Sequence, residues 1–181
     1  MKIGIIIGSI RDGRIGEHVA AWVEKAAANR SDAEYGVLDL KDFDIPLLTS
    51  STVPSAANRQ YDSTNVTRWS QAIDAYDAFV FITPEYNHGI PGAFKNAFDS
   101  LGPEWTDKTV GFVSYGADGG VRATEQWRQV TANLHMYDVR ASVALGLFTD
   151  FDETGFAPQE RREAELSAML DELTRLTSRL S

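Results

Sequence analysis

The chain has 181 residues, 43% of them hydrophobic and 24% charged, which is the composition of a soluble globular protein and enough chain for one domain. Lys and Arg number 17 against 26 Asp and Glu, and the net charge of −9 argues against nucleic acid or an anionic membrane as the main partner. With no cysteine, disulfides, thiolate catalysis and cysteine-ligated zinc or iron–sulfur centres are excluded.

The elements alternate along the chain. Lys2 to Gly8 is a strand, and its apolar run (Ile3, Ile5, Ile6, Ile7) suits a parallel strand covered on both faces. It begins with no charged and apolar leader ahead of it, which predicts no secretory signal and a cytoplasmic protein. Val19, Trp22, Val23, Ala26 and Ala27 then fall on one helical stripe. Further strands are predicted over Glu34 to Leu40, Ala78 to Thr83, Thr109 to Tyr115 and Val139 to Leu145. Helical stripes lie between them: Trp69, Ile73 and Tyr76; Phe94, Ala97, Phe98 and Leu101; Trp127, Val130, Thr131 and Leu134. The last helix is the clearest, with Leu166, Met169, Leu170, Leu173, Leu176 and Leu180 at 3.6-residue spacing. This succession predicts a doubly wound parallel sheet in a single domain over 1–181. No apolar stretch approaches the ~18 residues of a membrane span. Thr49 to Asn65 stands apart as a long polar loop, either a surface excursion or a binding loop.

Three loops carry the chemistry. Gly8-Ser9-Ile10-Arg11-Asp12-Gly13-Arg14-Ile15-Gly16 precedes a helix, as a phosphate cradle does, with backbone N–H groups and a positive helix end facing the anion. Gly8 and Gly13 have P-loop spacing, yet Arg14-Ile15 stands where Lys-Ser/Thr is required, and no G-x-G-x-x-G is present. What remains suits a terminal monophosphate held by Ser9, Arg11 and amides, or else a plain glycine turn. The second loop follows an apolar strand that Pro84 ends, since proline cannot donate to a ladder. Glu85, Tyr86, Asn87, His88 and Gly89 follow, and Pro91 starts a helix at its first turn. Tyr86 offers a flat face and Asn87 an amide that both donates and accepts, a fit to the edge of a planar heterocycle. The third loop, Ser114-Tyr115-Gly116-Ala117-Asp118-Gly119-Gly120, permits close backbone approach. Each loop alone could be an ordinary turn, but all three converge outside the carboxyl ends of the strands, where open α/β sheets bind ligands.

These residues resemble the NAD(P)H-dependent FMN reductases of flavodoxin-like fold, a group with quinone, azo-dye and chromate reductases. The most specific pieces are Thr83-Pro84-Glu85-Tyr86-Asn87-His88-Gly89 with Lys95-Asn96-Ala97, and Tyr115-Gly116-x-x-Gly119-Gly120-x-Arg122-Ala123. The resemblance implies an α/β three-layer sandwich with a five-stranded parallel sheet in the order 2-1-3-4-5. It implies Ser9, Arg11, Ile15 and Gly16 at the FMN phosphate, and Pro84, Glu85, Tyr86 and Asn87 beside the isoalloxazine. Ser114, Tyr115 and Gly116 approach its pyrimidine side. It further implies NADH or NADPH as donor, hydride transfer through flavin N5, a quinone, azo or similar acceptor, and a homodimer or homotetramer. No protein nucleophile or metal is expected. Other branches of the family carry a Ser and an Asn where this chain has Gly16 and Glu17. That departure leaves open whether FMN is exchangeable or fixed, with Arg14 as a compensating cation and Arg122 as a contact for a 2′-phosphate.

Other groups point elsewhere less well. His18, His88 and His135 have no metal-ligand spacing, and a Ser-His-Asp hydrolase lacks its G-x-S-x-G elbow. Trp105 is assigned to a subunit contact. The rival functions are a flavodoxin-like electron carrier and a supplier of reduced FMN to a partner monooxygenase.

Overall fold

The computed structural model describes residues 1–180. A parallel sheet forms from β1 (Lys2–Ile7), β2 (Glu34–Asp39), β3 (Ala78–Pro84), β4 (Thr109–Gly116) and β5 (Tyr137–Gly146), in the order β2-β1-β3-β4-β5. The strand order reverses between β1 and β3, so the chain leaves the sheet in opposite directions on either side of that junction. A crevice opens there at the carboxyl edge.

Helices cover both faces because the strands are apolar on both. On one face, α1 (Gly16–Ala27) and α6 (Arg161–Leu180) bury Val19, Val23, Leu166, Met169 and Leu173 against Ile3, Ile5, Val80 and Val143. On the other, α3 (Thr64–Asp74), α4 (Gly92–Asp99) and α5 (Val121–Asn133) bury an aromatic cluster of Trp69, Phe94, Phe98, Trp105 and Trp127 against Phe79, Phe81 and Phe112. A short α2 (Leu40–Phe43), a 3-10 turn at Pro54–Ala56 and a hairpin of β6 (Phe151–Asp152) and β7 (Gly155–Phe156) complete the chain. Among the described residues no helix is long and apolar enough to cross a membrane.

Several expectations shift. Trp105 is fully buried, not at a surface contact: its ring stacks on Phe98 at 4.7 Å and its indole N–H donates to the Phe98 carbonyl at 3.1 Å. Leu40 leaves β2 to start α2, because the Asp39 carboxylate caps it by accepting from the Lys41 N–H. Pro91 is the N-cap of α4 and not within its first turn. The long loop ends at Ser63, whose hydroxyl accepts from the Val66 N–H and opens α3 at Thr64. That loop is tied down. Asn96 of α4 holds the Leu48 N–H and the Pro46 carbonyl, each at 2.9 Å, and the Tyr61 hydroxyl donates to buried Glu104 at 2.6 Å.

β5 starts earlier than its apolar run because a bulge displaces its register against β4 between Val110 and Phe112. The strand polar groups freed by the bulge are met from both faces. Arg128 of α5 donates to the Val139 and Arg140 carbonyls, while Glu172 of α6 accepts from the Arg140 and Ala141 N–H groups.

Candidate functional site

At the carboxyl edge of β1, β3 and β4 lies a cleft of about 230 Å³, and the loops that wall it are each fixed by identifiable contacts. The β1–α1 loop comes first. The Arg14 guanidinium, only 5% exposed, donates to the Ser9 carbonyl at 2.5 Å, to both carboxylate oxygens of Asp39 and to Glu17 at 2.8 Å. The Asp39 hydrogen bond in particular pushes its pKa up. Arg14, expected from the sequence as a compensating cation, therefore staples the loop to the end of β2 with its charge already matched by two carboxylates. Arg11 differs. Its guanidinium lies over the Tyr86 ring at 5.8 Å and makes no ion pair among the described residues. Behind it, the N-cap of α1 is Ile15, which has no side chain able to cap the first-turn N–H groups. The uncapped helix end and an arginine without an ion pair set unpartnered N–H donors side by side, although Glu17 stands in the first turn of the same helix.

The second loop closes on itself. Tyr86 and Gly89 exchange two backbone hydrogen bonds of 3.0 Å, with Asn87 and His88 between them at φ of 50° and 66°. This is the geometry of a tight primed hairpin turn, and asparagine tolerates left-handed φ better than most residues. Gln126 of α5 braces the turn by accepting from the Ile90 N–H at 3.1 Å and donating to the His88 carbonyl at 3.0 Å. At its inner end the Tyr86 hydroxyl meets the Ser9 hydroxyl at 2.9 Å, joining the first two loops.

Glu85 joins the second loop to the third. Its carboxylate accepts from the Arg122 and Ala123 N–H groups at 2.9 and 3.4 Å, and so caps α5 from outside its own segment. It also accepts from the Arg122 guanidinium at 2.9 Å. Arg122 is held further by Asp118 at 2.8 Å, so it is an internal strut and not a free cation for a 2′-phosphate. In the third loop Gly119 and Gly120 take φ of 75° and 73°, and the buried Ser114 hydroxyl donates to the Gly119 carbonyl at 2.7 Å.

Of the residues singled out from the sequence, the cleft brings together Ser9, Arg11 and Ile15 from the first loop and Pro84, Glu85 and Tyr86 from the second. Tyr115 and Gly116 come from the third. Gly16 lies behind the wall, Asn87 sits at the tip of the hairpin turn, and the Ser114 side chain faces inward. The cleft also takes in Arg14, expected from the sequence only as a compensating cation, together with Gly13 and Leu147, which were not singled out as site residues. Leu147 comes from a fourth loop after β5, where its N–H donates to the Gly116 carbonyl at 2.9 Å. The signal for it was present, since Gly146-Leu147-Phe148 follows a strand that ends at the same edge. A larger cleft of about 420 Å³ under the long loop shares no lining residue with this one.

The sheet order and the loops at its switch point define an α/β protein of the flavodoxin-like class, a class that solved flavodoxin and flavoenzyme structures also match. A family model described as NADPH-dependent FMN reductase matches residues 1–150, and the chain belongs to that family of oxidoreductases. An NAD(P)H-dependent FMN reductase of Nectria sp is 40% identical over 69% of this chain and 64% of its own length, so the chain spans less than two thirds of that relative. An NAD(P)H-dependent FMN reductase of Saccharomyces cerevisiae is 35% identical over 75% of this chain and 76% of that protein. Among solved structures, the FerB flavoenzyme NAD(P)H:(acceptor) oxidoreductase of Paracoccus denitrificans superposes with a TM-score of 0.75 at 18% identity. It covers 98% of this chain and 97% of its own, a likeness of fold.

Proposed function

We propose that this chain binds FMN in the strand-edge cleft, reduces it with NADH or NADPH and passes the electrons to a quinone, azo compound or similar small acceptor. The observation that carries the reading is the pairing of Arg11, without an ion pair, with the uncapped N-terminus of α1, beside the aromatic wall of Tyr86. An anion at one end and a flat ring at the other is the chemistry of a flavin mononucleotide, and the donors on hand fit it.

The residues divide the work. Ser9, Arg11 and the first-turn amides of α1 hold the phosphate. Pro84, Tyr86 and the backbone of the Asn87 turn border the ring, while Gly116 and Leu147 close the opposite edge. When bound, FMN supplies reversible hydride chemistry at N5, and the protein tunes and orients it. None of these side chains is asked to act as a nucleophile or general acid. Their part is to fix the ring, leave one face open and keep water from the other. Glu85 and Gln126 hold the two flanking loops at a set separation, which matters because a displacement of about 1 Å costs roughly 100-fold in hydride transfer.

A homo-oligomer and a cytoplasmic setting belong to the same reading. Exposed Leu47, Leu48 and Val53 beside α4 support the first, and the net charge of −9 supports a partner other than nucleic acid or anionic lipid. The test is single-turnover bleaching of bound FMN at about 450 nm under NADH or NADPH without oxygen. Reduction followed by reoxidation with a quinone is the expected result. Flavin that neither nicotinamide reduces would overturn the reductase reading in favour of an electron carrier.

A further inference from the structure

We propose that the Tyr115 hydroxyl is a ligand for the phosphate group at the N-terminus of α1, and that Gly16 is the residue that makes room for it. The proposal rests on the FMN reading of the cleft but moves Tyr115 from the pyrimidine side to the opposite end. Tyr115 leaves the end of β4 on the α1 side of the sheet, where its ring packs with Ile7 and Val19 in the core. A Cβ on Gly16 would lie only 2.7 Å from the Tyr115 oxygen. The hydroxyl therefore fills the space in which a side chain at the first position of α1 would stand. Ser9 is near enough to act on that hydroxyl electrostatically, and the Ser9 hydroxyl itself meets the Tyr86 hydroxyl at 2.9 Å. Ser9, Tyr86 and Tyr115 thus gather three hydroxyls under the loop that carries Arg11.

The chemistry of the loop favours this use. Arg14 is matched by Asp39 and Glu17, so its charge is not available to an anion. Position 16 has no side chain, and position 17 is a carboxylate. A phosphate here needs neutral donors besides Arg11 and the amides, and a phenol is a good one. Burial, with the neighbouring Tyr86 adding to it, pushes the Tyr115 pKa up. The hydroxyl keeps its proton at neutral pH and donates. Core packing alone would be met by phenylalanine, since Tyr115 is 5% exposed and its ring already has apolar neighbours.

Tyr115→Phe keeps the ring and removes the oxygen. Fluorescence titration of this variant should show FMN affinity reduced roughly tenfold or more, with riboflavin affinity unchanged. The rise in melting temperature given by inorganic phosphate should also shrink. An unchanged FMN affinity, or an equal loss for both flavins, would overturn the proposal while leaving the FMN reading intact. If the wild type binds neither flavin but phosphate still stabilises it more than Tyr115→Phe, the FMN reading fails and the phosphate ligand stands. A second pair of variants tests the steric half. Gly16→Ser should lower the melting temperature in the wild-type background and be tolerated in Tyr115→Phe, whereas equal destabilisation in both would refute the pairing of these two positions.

Discussion

Arg11 and Arg14 are three positions apart in one loop and have opposite fates. Arg14 is buried and held by two carboxylates and a carbonyl, while Arg11 rests over an aromatic ring with no ion pair among the described residues. A charge-assisted hydrogen bond contributes ~1.5–3 kcal/mol, so Arg11→Ala should weaken FMN binding by roughly 10- to 150-fold without unfolding the protein. Helix-end attraction alone, at ~0.3–1 kcal/mol, would not make up the loss. Arg14→Ala should act differently, lowering the melting temperature as well, because it leaves Asp39 and the loop without their tie. Parallel flavin titrations and thermal melts check both. Wild-type affinity in Arg11→Ala would remove the role given to it. Tyr86→Ala should slow anaerobic flavin reduction more than it weakens binding, since the phosphate cradle keeps Arg11 and the amides while the ring loses a wall. A stopped-flow trace with unchanged rate would count against that assignment.

Elements are positioned here by carboxylates reaching from one segment to the end of another. Glu85 leaves the end of β3 to cap α5, which fixes the separation of the two loops beside the cleft. Glu85→Ala should cost about 1–2 kcal/mol through the lost cap, visible as a lower denaturant midpoint, together with weaker flavin binding. Asp150 does the same at the end of β5. It is fully buried, accepts from two of the three Arg162 guanidinium nitrogens at 3.0 Å and from the Gly146 and Gln159 N–H groups, and so holds the turn that presents Leu147. Burial pushes its pKa up, but Arg162 and those N–H groups prevail and hold it at about 2. The unfolded chain takes up a proton at Asp150 near pH ~3.9. Between these values the unfolded state binds more protons, so the contribution of about 2 kcal/mol is fully present above about pH 5 and is lost as the pH falls toward 2. Asp150→Asn should flatten that part of the acid-unfolding curve. At pH 7 it should destabilise by the lower end of about 3–5 kcal/mol, because Arg162 still keeps Glu165 at 2.7 Å and is not left wholly unpaired. An acid limb identical to the wild type would show that Asp150 does not titrate there.

At the scale of the whole molecule the cleft at the strand edge is a product of topology. Each of the loops at the cleft leaves the carboxyl end of a parallel strand, and the reversal between β1 and β3 separates the helices that would otherwise cover it. A ligand that binds only this arrangement stabilises the entire fold. At 100 times its dissociation constant FMN should add about 2.7 kcal/mol, or roughly 5–10 °C in melting temperature for a chain of this size. Riboflavin at the same concentration should give a smaller rise. Equal shifts would argue against a phosphate site.

The residue pattern itself determined the class of fold. Apolar runs without polar alternation require strands covered on both faces, and strands alternating with helical stripes require a parallel sheet. The same pattern named most of the cleft, because a loop that follows a strand lies at the carboxyl edge whatever the sheet order. Tertiary structure alone decided how long-range partners use those residues. Arg11 and Arg14 are both loop cations in the sequence, and it takes packing against Asp39, 25 positions after Arg14, together with the Ser9 carbonyl and Glu17, to engage one and leave the other without an ion pair. Trp105 reads as a surface anchor until Phe98 and Phe79 are seen to surround it. The β5 bulge is invisible locally because the groups that satisfy it, Arg128 and Glu172, come from helices on opposite faces. Hydrophobic period is a local property and can be read along the chain, whereas the partner of a charge is fixed only once distant segments pack.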